Sequence, residues 1–197
     1  MLEVYRAAAD LQRHCEDRGW RFCLIGGIAL MRWGEPRETI DVDMTLLTGF
    51  GHEEEFIRAL LGLYAARVPD PLAFALTHRV LLLQAASGVG IDVAMGGMPF
   101  EESAVARATP YEFAPGVFLL TASAEDLIVM KAFAARPKDW VDVEGIVIRQ
   151  GARLDWNYID HHLRPLVVLK EEPEILERLA RIRADAGPGN QARTFLA

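Results

Sequence analysis

Apolar residues recur at helical spacing through Leu2, Tyr5, Ala8, Ala9 and Cys15, and the pattern stops at Gly19, where a glycine helix end is expected. The aromatic, β-compatible segment 20–25 then runs into Gly26 and Gly27, and the apolar stretch after them has room only for a short helix. The pattern predicts a strand, a glycine turn and a helix. Past Pro36, the segment TIDVDMTLL (39–47) alternates as a strand does, with its polar members on one side. A helix is predicted over 53–67, with Phe56, Ala59, Leu60 and Leu63 on one face and Glu53, Glu54 and Glu55 solvated at its positive end. Residues 79–86 and 90–96 flank Ser87, Gly88 and Val89 as the arms of a β-hairpin would, and 109–121 predicts two short strands around Pro115 and Gly116.

From residue 122 the period becomes helical. Ser123 is placed to cap a helix reaching Ala135, Pro137 opens one over 138–150 that ends at Gly151, and Asp155 caps one running to Arg164 before Pro165. A last helix runs from Pro173 to Arg183. The expected class is α+β: a core at 1–121 with a small mixed or antiparallel sheet flanked by helices, a helical part at 122–184, and a flexible tail at 185–197.

Composition narrows the function. The 197 residues are 51% hydrophobic and 25% charged, which excludes disordered, collagen-like and disulfide-scaffold chains. Of the net charge of −7, residues 1–121 carry −6, from 10 basic and 16 acidic side chains. An acidic surface repels polyphosphate, so an extended nucleic-acid or anionic-membrane footprint is not expected, whereas cations binding grouped carboxylates are. Cys15 and Cys23 stand eight apart with no CxxC, and read as buried thiols of a reducing compartment. With no apolar run near the roughly 20 residues that span a bilayer and an N-terminus unlike a signal peptide, the expected location is cytoplasmic, without membrane partners.

Within the second strand, Asp41 and Asp43 are two apart and share a face, about 7 Å from one another. Two such carboxylates repel unless a cation joins them, and hard oxygens suit Mg²⁺, which completes its shell with water and phosphate oxygens. Asp92, in GIDVAMG, could complete a two-metal site if its strand neighbours the first. The plainer alternative is that each aspartate caps a turn or faces solvent. Gly26 and Gly27 lie between a strand and a helix start, where backbone N–H groups can cradle phosphate oxygens. A double glycine followed at this distance by DxD on a strand is more specific than either alone. There is no GxxxxGK[ST], so a P-loop is excluded.

The segment FCLIGGIALMRWGEPRETIDVDMTLL (22–47) resembles the nucleotidyltransferases of the DNA polymerase beta superfamily, most closely the AbiEii-type toxin nucleotidyltransferases. The segment TASAEDLIVMKAFAARPKDWVDVEGI (121–146) is similar to that family's helical motif, EDLxxxKxxAxRxKDxxD. The resemblance implies that Gly26 and Gly27 hold the phosphates of an NTP and that Asp41 and Asp43 bind two Mg²⁺ ions, with Mn²⁺ an alternative. Asp92 is implied as third carboxylate and general base, Lys131 as a ligand of the triphosphate, and Arg37 as a brace for the phosphates or the DxD loop. Two of the chain's three lysines, Lys131 and Lys138, fall in the helical motif. Lys138 is equally a surface lysine, and Arg136 with Asp139 equally an ion pair locking two helices. The double glycine and the long insert before DxD fit the toxin-like branch better than branches with a serine in the glycine motif.

The expected activity is NMP transfer from an NTP to a hydroxyl on an RNA end such as transfer RNA, a protein or a small molecule, with release of pyrophosphate. The resemblance adds a toxin role and a cognate antitoxin. Competing expectations are a silent nucleotide- or partner-binding module and an antibiotic-modifying nucleotidyltransferase.

Overall fold

The structure, a computed structural model, describes residues 1–186. Helix α1 (Leu2–Asp17) leads into β1 (Phe22–Leu24), α2 (Gly26–Trp33), β2 (Asp41–Leu47), α3 (Glu53–Leu61), β3 (Ala65–Ala66), α4 (Pro71–His78), β4 (Val80–Gln84), β5 (Gly90–Gly96) and α5 (Pro99–Arg107). A hairpin of β6 (Thr109–Ala114) and β7 (Val117–Thr121) follows, then α6 (Ala124–Ala134), α7 (Pro137–Gln150), α8 (Trp156–Lys170) and α9 (Glu174–Asp185). The chain forms two compact units, one of Met1–Ala29 with Arg37–Ser123, the other of Leu30–Pro36 with the described residues from Ala124 onward. The second unit thus begins at Ala124 and takes in Leu30–Pro36, the end of α2 and the turn after it. Gln150 Nε2 donates to the Trp33 carbonyl and Arg149 Nη1 to that of Gly34, both at 2.5 Å.

The first unit is built on a seven-stranded sheet in the order β3-β4-β5-β2-β1-β7-β6. It is mixed: β2 and β5 run parallel, as do β1 and β7, and the other neighbours are antiparallel. Strand alternation sends Val42, Met44 and Leu46 of β2 with Ile91, Val93 and Met95 of β5 into the main core, against Leu11 of α1 and Ile57 and Leu60 of α3. On the opposite face Val105 of α5 packs with Cys23 and Ala122. The fold is the α+β class expected.

Four local expectations are corrected. Helix α3 stops at Leu61, because Gly62 ends it, and Ala65–Ala66 become the edge strand β3 rather than a fourth helical turn. Glu53 is not solvated: it is buried and ion-paired with Arg79, and hydrogen bonding to its own backbone N–H with that guanidinium holds its carboxyl below the usual range despite burial. Helices α4 and α5 were absent from the pattern, although each opens with a proline and α4 is capped by Asp70, whose carboxylate accepts from the Ala73 N–H at 3.3 Å. Helix α8 runs through Pro165 to Lys170, held by the buried Leu163, Leu166 and Val167 on both sides of the proline. The tail expected at 185–197 lies outside the described residues from 187; Asp185 is the last residue of α9. No helix among the described residues is long and apolar enough to cross a membrane.

Candidate active site

The pleat that buries Val42 and Met44 turns Asp41 and Asp43 to the other face of β2, where both are half-buried. Strand β5 lies beside it in parallel register, with Asp43 opposite Asp92 and Asp41 opposite Gly90. Residues opposite one another across a ladder share a face, so the sheet brings Asp41, Asp43 and Asp92 together on one surface. Hydrophobic burial of the alternate residues fixes this register, since a slip of either strand by one residue would drive its own carboxylates into the core.

The glycine pair meets this surface through close packing. Gly26, the first residue of α2, has φ +57°, and a Cβ there would collide with the Asp43 carboxylate. A Cβ on Gly27 would lie 2.7 Å from the Cβ of Thr39. Ile25 N–H donates to the Asp43 carbonyl at 2.9 Å, so the start of α2 and the DxD strand are tied by backbone as well. The first-turn N–H groups of α2, which have no partners within their helix, therefore stand beside the aspartates. Thr39 is 4% exposed, with its hydroxyl 3.3 Å from both the backbone carbonyl and Oδ1 of Asp41. Thr39, predicted to open the strand, thus lies in the loop before β2 and braces Asp41 by hydrogen bonding. Arg37 is exposed in the loop leading to it.

Arg67 is a member of the site that the sequence did not disclose. Its guanidinium is ion-paired with Asp92, and the two side chains are 34% and 33% exposed. Partial burial pushes the Asp92 carboxyl above the usual range, the guanidinium opposes that, and the negative charge of Asp41 adds to it. Carboxylate oxygens on one sheet face beside a helix N-terminus have the chemistry that a hard divalent cation with a phosphate ligand takes. Among the described residues, however, no three His, Cys, Asp or Glu side chains are gathered into a ready metal cage. The reason is visible in the two carboxylates that face each other in register: that of Asp43 is turned to Gly26, that of Asp92 to Arg67.

The helical motif folds differently. In the second unit Lys131 is 6% exposed, with its ammonium 2.6 Å from Asp142 Oδ2 and 3.5 Å from Asp139 Oδ1. Arg136, the residue before α7, grips the same Asp139 at 2.5 Å through Nε, so this ion pair ties the start of α7 to itself instead of locking two helices together. Asp126 is fully buried and accepts from the Tyr158 hydroxyl at 2.6 Å, while Glu125 accepts from the Asp155 N–H at 3.2 Å. Lys138 is exposed at the start of α7. Most of the charged positions of the motif thus meet one another or their neighbouring helices.

The sequence pattern of a family described as "Nucleotidyltransferase of unknown function (DUF6036)" matches residues 1–176. No functionally described protein matches the sequence. Among solved structures, the chain is similar to an antigenic nucleotidyltransferase-like protein from Paracoccidioides brasiliensis, with 15% identity over 90% of this chain and 92% of that one and a TM-score of 0.51. A structure of ANT(2")-Ia in complex with adenylyl-2"-tobramycin matches at 18% identity over 93% of this chain and 95% of that one, with a TM-score of 0.43. The first of these likenesses speaks to the fold alone.

Proposed function

We propose, from the premise that the chain belongs to this DUF6036 family of nucleotidyltransferases, that it moves an NMP from an NTP to a hydroxyl acceptor at the face carrying Asp41, Asp43 and Asp92. The observation that supports this reading best is the fit of Gly26–Gly27 against Thr39 and Asp43, with Asp92 in register with Asp43. The N–H groups opening α2 would hold phosphate oxygens, favoured by the positive end of the helix. Asp41 and Asp43, joined by Asp92, would hold Mg²⁺ or Mn²⁺, which when bound would offset the charge on the α-phosphate. Asp92 would take the proton of the acceptor hydroxyl as its oxygen bonds to the α-phosphorus and the bond to the β-phosphate oxygen breaks, releasing pyrophosphate. Burial makes this carboxylate a better base than an exposed one. Arg37 would add charge beside the phosphates. Lys131, whose ammonium already serves two carboxylates, is left out of this nucleotide site.

The finer reading rests on the resemblance of residues 22–47 to AbiEii-type enzymes: a cytoplasmic toxin with a cognate antitoxin, acting on an RNA end. The test uses each α-labelled and γ-labelled NTP with Mg²⁺ and separate RNA, protein and aminoglycoside acceptors. The expected result is α-label on one acceptor class and never γ-label, with at least a hundredfold loss in Asp41→Asn and Asp43→Asn, about 3 kcal/mol of transition-state stabilisation. Full transfer by either variant contradicts the reading. Label on an aminoglycoside alone would replace the toxin role with antibiotic modification.

A further inference from the structure

Arg67 follows the edge strand β3, and its N–H donates to the Leu82 carbonyl of β4 at 3.0 Å. The pairing of Ala66 with Leu83, of Leu82 with Asp92 and of Asp92 with Asp43 sets Arg67, Leu82, Asp92 and Asp43 in one row across four strands. From the edge, the arginine side chain reaches over Leu82 to Asp92, two inter-strand spacings or about 10 Å away. Its path passes close over Gly90: a Cβ there would lie 3.2 Å from Arg67 Nη1 and 3.8 Å from the Asp41 Cβ. The guanidinium therefore rests over Gly90, flanked by Asp41 and paired with Asp92. Asp41 stands opposite Gly90 in the β2–β5 register, so the guanidinium lies beside two of the three carboxylates.

We propose that Arg67 is a built-in counter-ion that holds Asp92 away from a bare divalent cation and yields it only to a metal–nucleotide complex, whose triphosphate draws the guanidinium off. The inference rests on the function proposed above and adds a loading order to it. A lone cation must compete with a fixed positive charge for Asp92. A metal–NTP complex brings several negative charges, so the guanidinium exchanges one anionic partner for another and Asp92 is released as ligand and base together. Arg67 is in this sense a positioning residue for Asp92 that also selects the form in which the metal arrives. Arginine suits the task, because its charge persists at any working pH and its planar fork fits carboxylate and phosphate alike.

The test reads metal and nucleotide binding, not turnover. Free Mn²⁺ is followed by electron paramagnetic resonance in nucleotide-free wild type, Arg67→Gln, Arg67→Lys and the double variant Arg67→Gln/Asp92→Asn, and NTP affinity is measured by calorimetry at fixed Mn²⁺ and without it. Arg67→Gln is expected to bind bare Mn²⁺ about five- to tenfold more tightly and metal–NTP several-fold more weakly, the size a half-exposed ion pair supports. Arg67→Lys, which keeps the charge, should fall between, and the gain in Mn²⁺ affinity should vanish when Asp92 is also replaced. Mn²⁺ binding by Arg67→Gln where wild type shows none would support the inference most strongly. Equal or weaker Mn²⁺ binding in an Arg67→Gln protein of unchanged melting temperature overturns it, while leaving the metal site of the proposed function standing. If neither protein binds Mn²⁺, the inference falls, and NTP affinity that is the same with and without Mn²⁺ removes the metal site as well. Should Arg67→Gln melt early, Arg67→Lys and Arg67→Met, which keeps most of the stem without the charge, give the same reading, and unchanged Mn²⁺ affinity in both is the overturning result.

Discussion

Two groups of three aspartates stand in this molecule, and their surroundings could hardly differ more. Asp41, Asp43 and Asp92 share a half-exposed sheet face, with an arginine reaching in from the edge strand. Asp126, Asp139 and Asp142 are buried among helices, where Tyr158, Arg136 and Lys131 meet them at 2.5–2.6 Å. Burying a carboxylate is costly unless a partner is supplied, and in the helical unit the partners come from the same motif or, for Asp126, from Tyr158 of α8. The open face meets water. Both sets of residues carry the nucleotidyltransferase resemblance, but the first is arranged to receive charge from outside and the second to balance charge within.

The sharpest way to break this comparison is Lys131→Met. Removing the ammonium while keeping the stem leaves Asp139 and Asp142 buried around a missing charge, and breaking such a pair costs about 3–5 kcal/mol. A large drop in melting temperature is expected, whereas Asp43→Asn, a neutral near-isostere on the half-buried face, should lower it far less. A Lys131→Met protein of undiminished stability that has lost NTP binding would return Lys131 to the phosphates.

The smaller effect is at Tyr158. Tyr158→Phe removes one donor to a fully buried carboxylate and is expected to cost about 1–3 kcal/mol by denaturant unfolding, with label transfer kept within a few-fold. A loss of transfer with stability unchanged would place the helical motif in the chemistry instead of the scaffold.

How much of this was legible in the sequence depends on the range of the interaction. The alternation of TIDVDMTLL sent Asp41 and Asp43 to one face because period two is local, and the glycine-rich arm 90–96 placed Asp92 on a strand for the same reason. What alternation cannot state is which strand lies beside which, so the register of Asp43 with Asp92 had to come from the fold. Arg67 was hidden by a different cause. Residues 62–67 carry no period, β3 is two alanines long, and an arginine that acts across Leu82 leaves no trace in spacing. Gly62 was the one signal there, and the apolar face of the predicted helix masked it. The lysine of the helical motif stood out by rarity, but rarity does not separate a ligand of phosphate from the counter-ion of two buried carboxylates. Pro165 misled in the opposite direction, since tertiary burial on both sides outweighs one lost backbone hydrogen bond.

The central claim is that the open acidic face, and not the buried one, receives the nucleotide. It is tested most directly by a crystal structure of the protein with Mg²⁺ and an NTP whose α,β-bridging oxygen is replaced by methylene. The account expects the triphosphate against the first turn of α2 at Gly26–Gly27, a metal on Asp41 and Asp43, and the Arg67 guanidinium turned from Asp92 to a phosphate oxygen. A triphosphate seated elsewhere, with Asp41 and Asp43 taking no part in holding it, would contradict it.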